Sequence, residues 1–194
     1  LKDISLSNFR TTKVEDMSDV FNYCLSLTSL DLSSFDTSKV TNMKSMFRFC
    51  NDLSYLKINF NTKKVNDVSS MFEECQKLTS LDITSFDMSN VIKASNLFQH
   101  CSSLKSLDLS KFNTENMKDI SHMFQGCSLL TSLDLSLFKT KNVEDFSYLF
   151  DQCKNLTSLD LSNFDTSNGK NMYHMFSSCE NLRTLKNMNF NTEN

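Results

Sequence analysis

The chain of 194 residues has no proline or tryptophan and only two glycines, Gly126 and Gly169. A loop that cradles phosphate needs several closely spaced glycines, so nucleotide-binding loops of that kind are excluded. No apolar run approaches the ~20 residues of a membrane-spanning helix, and we expect no membrane insertion by this segment. The net charge is −3 and basic residues form no stripe, which argues against nucleic acid as a partner.

The chain also lacks cysteine pairs at the short spacings that zinc ligands require, so we expect no metal site. Its seven cysteines instead recur every 25 or 26 residues, at Cys24, Cys50, Cys75, Cys101, Cys127, Cys153 and Cys179. Each ends an apolar stripe just before an inward leucine, which indicates a small buried hydrophobe and a free thiol in every repeat.

Two phenylalanine series keep the same period as the cysteines. One begins at Phe9 and the other at Phe21. Three residue types with one shared period indicate an array of short repeats, each too small to bury a core alone. We interpret residues 1–194 as a single solenoid of about seven units and a partial eighth, and we expect it to be a segment of a longer protein.

Within one unit the hydrophobic pattern changes period. Residues 30–33 alternate apolar and polar side chains, as a strand with one buried face does. Val40, Met43, Phe47 and Cys50 follow at helical spacing after N-cap residues. The pattern therefore predicts an α/β repeat: an open right-handed solenoid with a parallel β-sheet on one face and short helices on the other. Seven strands would make a sheet roughly 30 Å wide.

Aspartates occupy one outward position of the predicted strands. They would form an exposed column on the sheet face, interrupted by Lys57 and flanked by serines that can donate hydrogen bonds. A calcium site needs six or more converging ligands, so we interpret the column as a solvated ladder. Its members are Asp31, Asp82, Asp108, Asp134 and Asp160.

Catalysis has little support in the pattern, although serine, histidine and aspartate are all present. The serine and aspartate columns lie on the predicted sheet face, whereas His100, His122 and His174 lie in predicted helices on the opposite face. A catalytic triad cannot form across that distance, and we expect neither enzyme activity nor a cofactor.

The repeat L-x-x-L-D-L-S-x-F-D-T-S-x-V-x-x-M-x-x-M-F-x-x-C resembles the 26-residue repeat of BspA-like leucine-rich-repeat surface proteins of bacteria. Residues 27–52 and 156–181 carry it nearly intact, apart from Gly169 where valine is usual. The resemblance covers essentially the whole chain. It implies display on the cell surface and an adhesive or protein-binding role, and it implies no catalytic or ligand-binding residues.

Two functions remain open from the sequence. The first is a surface-displayed, non-enzymatic interaction or adhesion module for a protein or surface polymer. The second is a structural spacer or scaffold in a larger extracellular or ciliary assembly. The outward sheet positions are uniform, whereas the opposite side varies between units, as Lys44-Ser45 and Tyr173-His174 show.

One unit departs from the uniform sheet face. It presents Tyr55, Lys57 and Asn59 beside the only shortened loop, between Ile58 and Phe60. Tyrosine is favoured at binding hot spots, so these residues form a candidate partner contact. Lys57 also falls between Asp31 and Asp82 in the column and could relieve carboxylate repulsion by pairing with both.

Overall fold

The computed structural model describes residues 4, 6 and 8–186, stacked as layers that each end near one of the seven cysteines. We number the layers 1 to 7 by those cysteines. The strands are β1 (Ser29–Asp31), β2 (Tyr55–Lys57), β3 (Ser158–Asp160) and β4 (Thr184–Lys186). β1 pairs with β2 and β3 with β4, both parallel and in register from layer to layer. The parallel stacking of repeats expected from the sequence is confirmed.

The strand side is not one continuous sheet. In the described residues the equivalent segments 81–84, 107–110 and 133–136 keep their inward leucines but form no strand. Contact between layers is marginal there: Lys105 N–H lies 3.5 Å from the Thr79 carbonyl, at the limit of a hydrogen bond. The predicted seven-stranded sheet is therefore wrong: among the described residues only β1 with β2 and β3 with β4 form strand pairs on this side.

The continuous ladder lies on the opposite side, which we call the turn side. Isolated parallel bridges join equivalent residues of all seven layers there. Beyond each bridge comes a turn segment, residues 43–49 in layer 2, whose alternate N–H groups bond the next layer: Ser45 to Ser69 at 2.9 Å and Phe47 to Met71 at 2.9 Å. The bridges run through Asp16, Asn42, Asp67, Lys93, Asp119, Asp145 and Asn171.

The predicted helices are wrong: residues 8–186 contain none. Intervening N–H groups close tight turns three residues back, as Arg48 does to Ser45 at 3.1 Å. Two residues of each turn segment take a positive φ, Ser45 at 54° and Phe49 at 57° in layer 2. Consecutive turns return a side chain to the core every three or four residues, so they reproduce the apolar spacing of a helix. The sequence pattern could not separate the two.

Layer spacing explains why turns replace helices. Phe47 and Phe72 stack with ring centroids 5.5 Å apart and planes 9° apart. The series continues through all seven layers at 5.5–5.8 Å. Packed helices need 8–10 Å between their axes, so helices would push the layers apart and break this stack.

The cysteines hold the phenylalanine ladder in place. Cys75 donates its thiol to the carbonyl of Phe47 in the preceding layer, at a distance of 3.3 Å, and the other layers repeat this contact. Five cysteines are buried, while Cys24 and Cys179 at the two ends are half-buried. Burial raises the pKa of Cys50 and of Cys101 to about 12, which disfavours the reactive thiolate.

A buried threonine joins the layers at the loop. The hydroxyl of Thr62 donates to the Asp87 carbonyl at 2.8 Å and accepts from the Asp87 N–H at 2.7 Å. Layer 4 has Met88 instead, and the N–H of Asn113 in the next layer bonds Lys111 within its own loop. One threonine side chain therefore bonds both a carbonyl and an N–H group of the next layer in layers 2, 3, 5 and 6.

Candidate binding surfaces

The carboxylate column lies exposed on the strand side, as the sequence predicts. Each aspartate is capped by the residue two positions later: the Ser33 N–H lies 2.9 Å from Asp31, and the Ser33 hydroxyl donates to the same oxygen. These bonds hold the pKa of the column carboxyls below their usual range, to about 2 for Asp31, chiefly through the Ser33 hydroxyl. The other lowered members are Asp82, Asp108 and Asp134. Each carboxylate of the column thus accepts a hydrogen bond from the backbone N–H two residues later in its own layer.

Lys57 stands opposite Asp31 in the register of β1 and β2. Its ammonium lies 3.2 Å from Asp31 Oδ2, with both side chains about half exposed. Among the ion pairs of residues 8–186, none joins Lys57 to Asp82, so the expected double pairing is reduced to one partner. Such an exposed pair contributes roughly 0–1 kcal/mol. Tyr55 beside it is 56% exposed, and Asn59 is also exposed.

A second outward surface joins four rings of layers 5 to 7 on the turn side. His122 and Tyr148 stack with centroids 4.6 Å apart and planes 14° apart, and Tyr148 stacks on His174 at 5.3 Å. The ring centroid of Tyr173 lies 4.0 Å from that of His174 and 5.3 Å from that of Tyr148, which it meets edge-on. Tyr173 is 59% exposed. We call His122, Tyr148, Tyr173 and His174 the aromatic patch.

A buried polar ladder fixes one edge of the aromatic patch. The Gln99 side-chain amide donates to Gln125 Oε1 at 2.5 Å, and the Gln125 amide donates to Asp151 at 2.7 Å. His122 Nδ1 lies 2.7 Å from the same Gln125 oxygen. That oxygen can only accept, so His122 carries its proton on Nδ1. The His122 ring is therefore held in one orientation against Tyr148.

All three histidines take a positive φ in the turn segments: His100, His122 and His174. The imidazole of His100 covers Gly126, where an added Cβ would lie 2.2 Å from His100 Nδ1. Gly126 also has a φ of 71°, so both backbone and space require glycine there. Within the described part of the chain, no three His, Cys, Asp or Glu side chains lie close enough together to hold a metal ion.

Sequence reasoning missed the aromatic patch and the polar ladder. The signal was present, since His122, Tyr148 and His174 are one period apart, as are Gln99, Gln125 and Asp151. It was overlooked because a helix would have turned the polar residues outward and kept neighbouring layers too far apart for stacking.

Residues 8–186 also contain no helix long and apolar enough to cross a membrane.

The stacked layers, inward leucines and parallel pairing define a leucine-rich-repeat-type solenoid, as expected from the repeat. The T. pallidum leucine-rich repeat protein shares the fold: TM-score 0.57 and 20% identity over 88% of this chain and 72% of that one. A Bacteroides ovatus leucine-rich repeat protein has a TM-score of 0.30 and 17% identity over 89% of this chain and 58% of that one. An internalin from Listeria monocytogenes has a TM-score of 0.33 and 16% identity over 98% of this chain and 58% of that one.

The chain belongs to the family described as "Mycoplasma protein of unknown function, DUF285", whose model matches residues 2–107 and 95–194. No curated protein matches the chain.

Proposed function

We propose that this chain is a non-enzymatic, surface-displayed module that binds a protein or surface polymer, with the aromatic patch as its main contact. The observation that carries the proposal is the exposure of Tyr173 beside the stack of His122, Tyr148 and His174. Rings at the core positions stack inside the solenoid, whereas these four lie at its surface. Tyrosine is enriched at binding hot spots because it offers a large contact area with few rotatable bonds.

Pre-organisation also favours this surface. His122 is oriented by Gln125, and Tyr148 is held between the rings of His122 and His174. A partner would not have to order these side chains, so less conformational entropy is lost on binding. Display on the cell surface is part of the proposal and rests on the resemblance of the repeat to surface proteins.

Tyr55, Lys57 and Asn59 form a second candidate contact, on the strand side. Lys57 already pairs with Asp31, which supports a structural role for its charge, while Tyr55 stays open to a partner. The alternative function, a structural spacer or scaffold, is favoured by a different observation: the column aspartates are each capped within their own layer. A spacer needs such uniform layers and no ligand.

The experiment coats beads with the purified chain and measures saturable binding to cultured epithelial cells and to immobilised fibronectin, laminin and collagen. The patch variant is Tyr148→Ser with Tyr173→Ser, and the strand-side variant is Tyr55→Ser with Lys57→Asp. Tyr23→Ser is the matched control, because Tyr23 is an equally exposed turn-side tyrosine in layer 1. We expect the patch variant to weaken binding more than tenfold, about 1.4 kcal/mol, with an unchanged melting temperature.

Three other results would contradict binding through the aromatic patch. An equal loss in Tyr23→Ser would show that the patch is not specific. A loss confined to the strand-side variant would move the contact to Tyr55 and Lys57. Absence of saturable binding to every surface, with wild-type protein folded, would favour the spacer.

A further inference from the structure

The loop of layer 6 differs from the other inner loops at one position. In layers 2, 3, 4, 5 and 7 the residue after the loop phenylalanine is aspartate or asparagine. Its side-chain oxygen accepts the N–H two residues later at 2.9–3.1 Å, which makes an Asx turn. Layer 6 has Lys139 there, and a lysine side chain has no acceptor. The equivalent N–H, that of Lys141, therefore bonds no other group among residues 8–186.

This loop lines a cleft of about 340 Å³ between layers 5 and 7, and Lys141 is one of the lining residues. The volume falls within the size range of small-ligand sites. Two asparagine side chains fix the walls: Asn142 donates to the Glu115 carbonyl at 2.8 Å, and Asn163 donates to the Ser136 carbonyl at 2.7 Å. Each bond joins two neighbouring layers, so the cleft is pre-organised and a ligand would not have to order it.

The charged groups of the cleft are not equally available to a ligand. Glu115 pairs with Lys139 at 3.1 Å, and Asp165 accepts the Ser167 N–H of its own loop at 2.9 Å. Lys141 forms no ion pair within the described part of the chain. One residue, Lys141, thus offers both an ammonium group and a backbone N–H to a negatively charged acceptor.

Leu137 adds an apolar surface to the same cleft. It is 42% exposed, and the other inner loops have polar residues at this position. The cleft therefore presents a donor for an anion next to a surface for an apolar group. The equivalent residues of layers 2, 4, 5 and 7 are Ser34, Ser85, Lys111 and Asn163.

We propose that this cleft binds an acidic peptide segment of a partner protein. An aspartate or glutamate carboxylate of the peptide accepts the Lys141 N–H and pairs with the Lys141 ammonium, and a neighbouring apolar side chain covers Leu137. The carboxylate takes the place that the Asx oxygen has in the other inner loops. Hydrogen bonds from a backbone N–H to a carboxylate are stronger than neutral ones. The cleft shares no residue with the aromatic patch, so either site can fail without the other.

The test is an NMR titration of the purified chain that follows the backbone amide of Lys141. The probe is the peptide N-acetyl-leucyl-aspartyl amide, and its uncharged match is N-acetyl-leucyl-asparaginyl amide. We expect a saturable downfield shift of the Lys141 amide proton with the acidic peptide. The uncharged peptide should bind at least about fivefold more weakly, because its hydrogen bond is not charge-assisted.

A matched pair of variants tests the position of the carboxylate. Lys139→Asn and Lys139→Gln both remove the ammonium group and its pairing with Glu115. Only asparagine has the length that places an oxygen on the Lys141 N–H, as Asn61 and Asn113 do for their own loops. We therefore expect Lys139→Asn to abolish the shift at Lys141 and Lys139→Gln to keep it.

Absence of a saturable shift at the Lys141 amide in the wild-type chain overturns the proposal. Equal binding by the two Lys139 variants would show that the Lys141 N–H is not the contact. Equal affinity for the two peptides would show that no carboxylate is required. Tighter binding of glucuronic acid than of the acidic peptide would contradict a peptide ligand. The wild-type titrations decide the proposal even where a variant fails to fold.

Discussion

At the scale of single residues, departures from the repeat occur in compensating pairs. Gly169 stands where five other layers have valine, and a Cβ built there would lie 3.1 Å from Phe146 Cε2 in the preceding layer. Phe146 in turn occupies a position that is Val68 in layer 3 and Ala94 in layer 4. The large ring of one layer fills the space left by the glycine of the next, so the two substitutions conserve core volume together.

The pair predicts coupled stability effects. Gly169→Val alone overpacks the site and should cost about 1–3 kcal/mol of unfolding free energy. Phe146→Ile alone leaves a cavity and should also destabilise. The double variant restores the usual pair, so its loss should be smaller than the sum of the single losses by roughly 0.5–3 kcal/mol. Urea unfolding of the four proteins measures this, and strict additivity would contradict the compensation.

At the scale of elements, the sequence predicted the inward residues and the parallel stacking, because these depend on hydrophobic periodicity and chain connectivity. It did not predict the turn side, because Met43, Phe47 and Cys50 have the same spacing in a helix and in a chain of tight turns. Only the distance between layers separates the two structures. The aromatic patch depends on that distance, so it could not be inferred while helices were assumed.

The carboxylate column predicts a pH dependence of stability. Its pKa values are lower in the folded chain than the usual 3.8, mainly through serine and threonine hydroxyl bonds. A group with a lowered folded pKa contributes stability above its unfolded pKa, and that contribution is lost as pH falls through the folded pKa. We therefore expect the melting temperature to fall as pH drops from about 4 towards 2.

The matched variant replaces Asp82, Asp108 and Asp134 with asparagine. An amide oxygen can still accept the capping bonds but does not take up a proton in this range. The melting temperature of the variant should fall less between pH 5 and pH 2 than that of the wild type. Both proteins have the same lysines and arginines, so the comparison isolates the effect of the three carboxylates. Parallel pH profiles would show that the column carboxylates do not contribute to acid unfolding.

At the scale of the whole molecule, each layer contacts only its neighbours, so removal of one complete unit should leave a folded, shorter solenoid. The choice of unit matters. Deleting residues 104–129 places Gln152 where Gly126 now lies against His100. The Cβ of Gln152 would then clash with the His100 imidazole, which needs the space that glycine leaves free. Deleting residues 78–103 removes His100 and Met88 together, and sets the Thr62 hydroxyl beside the Asn113 backbone. We expect both deletions to fold, and the second to be the more stable.

The control removes residues 104–116, half a unit. It would put the turn segment of layer 5 where a strand half belongs, so inward leucines would face phenylalanines and the alternate N–H groups would lose their carbonyls. Thermal melts followed by circular dichroism compare the three deletions. Both whole-unit deletions should melt cooperatively, and the half-unit deletion should show no cooperative transition, because its layers are out of register from the cut onward. Equal cooperativity in all three would contradict a stack held together by register between neighbouring layers. If the 78–103 deletion were less stable than the 104–129 deletion, that would contradict the conclusion that His100 needs a glycine at position 126.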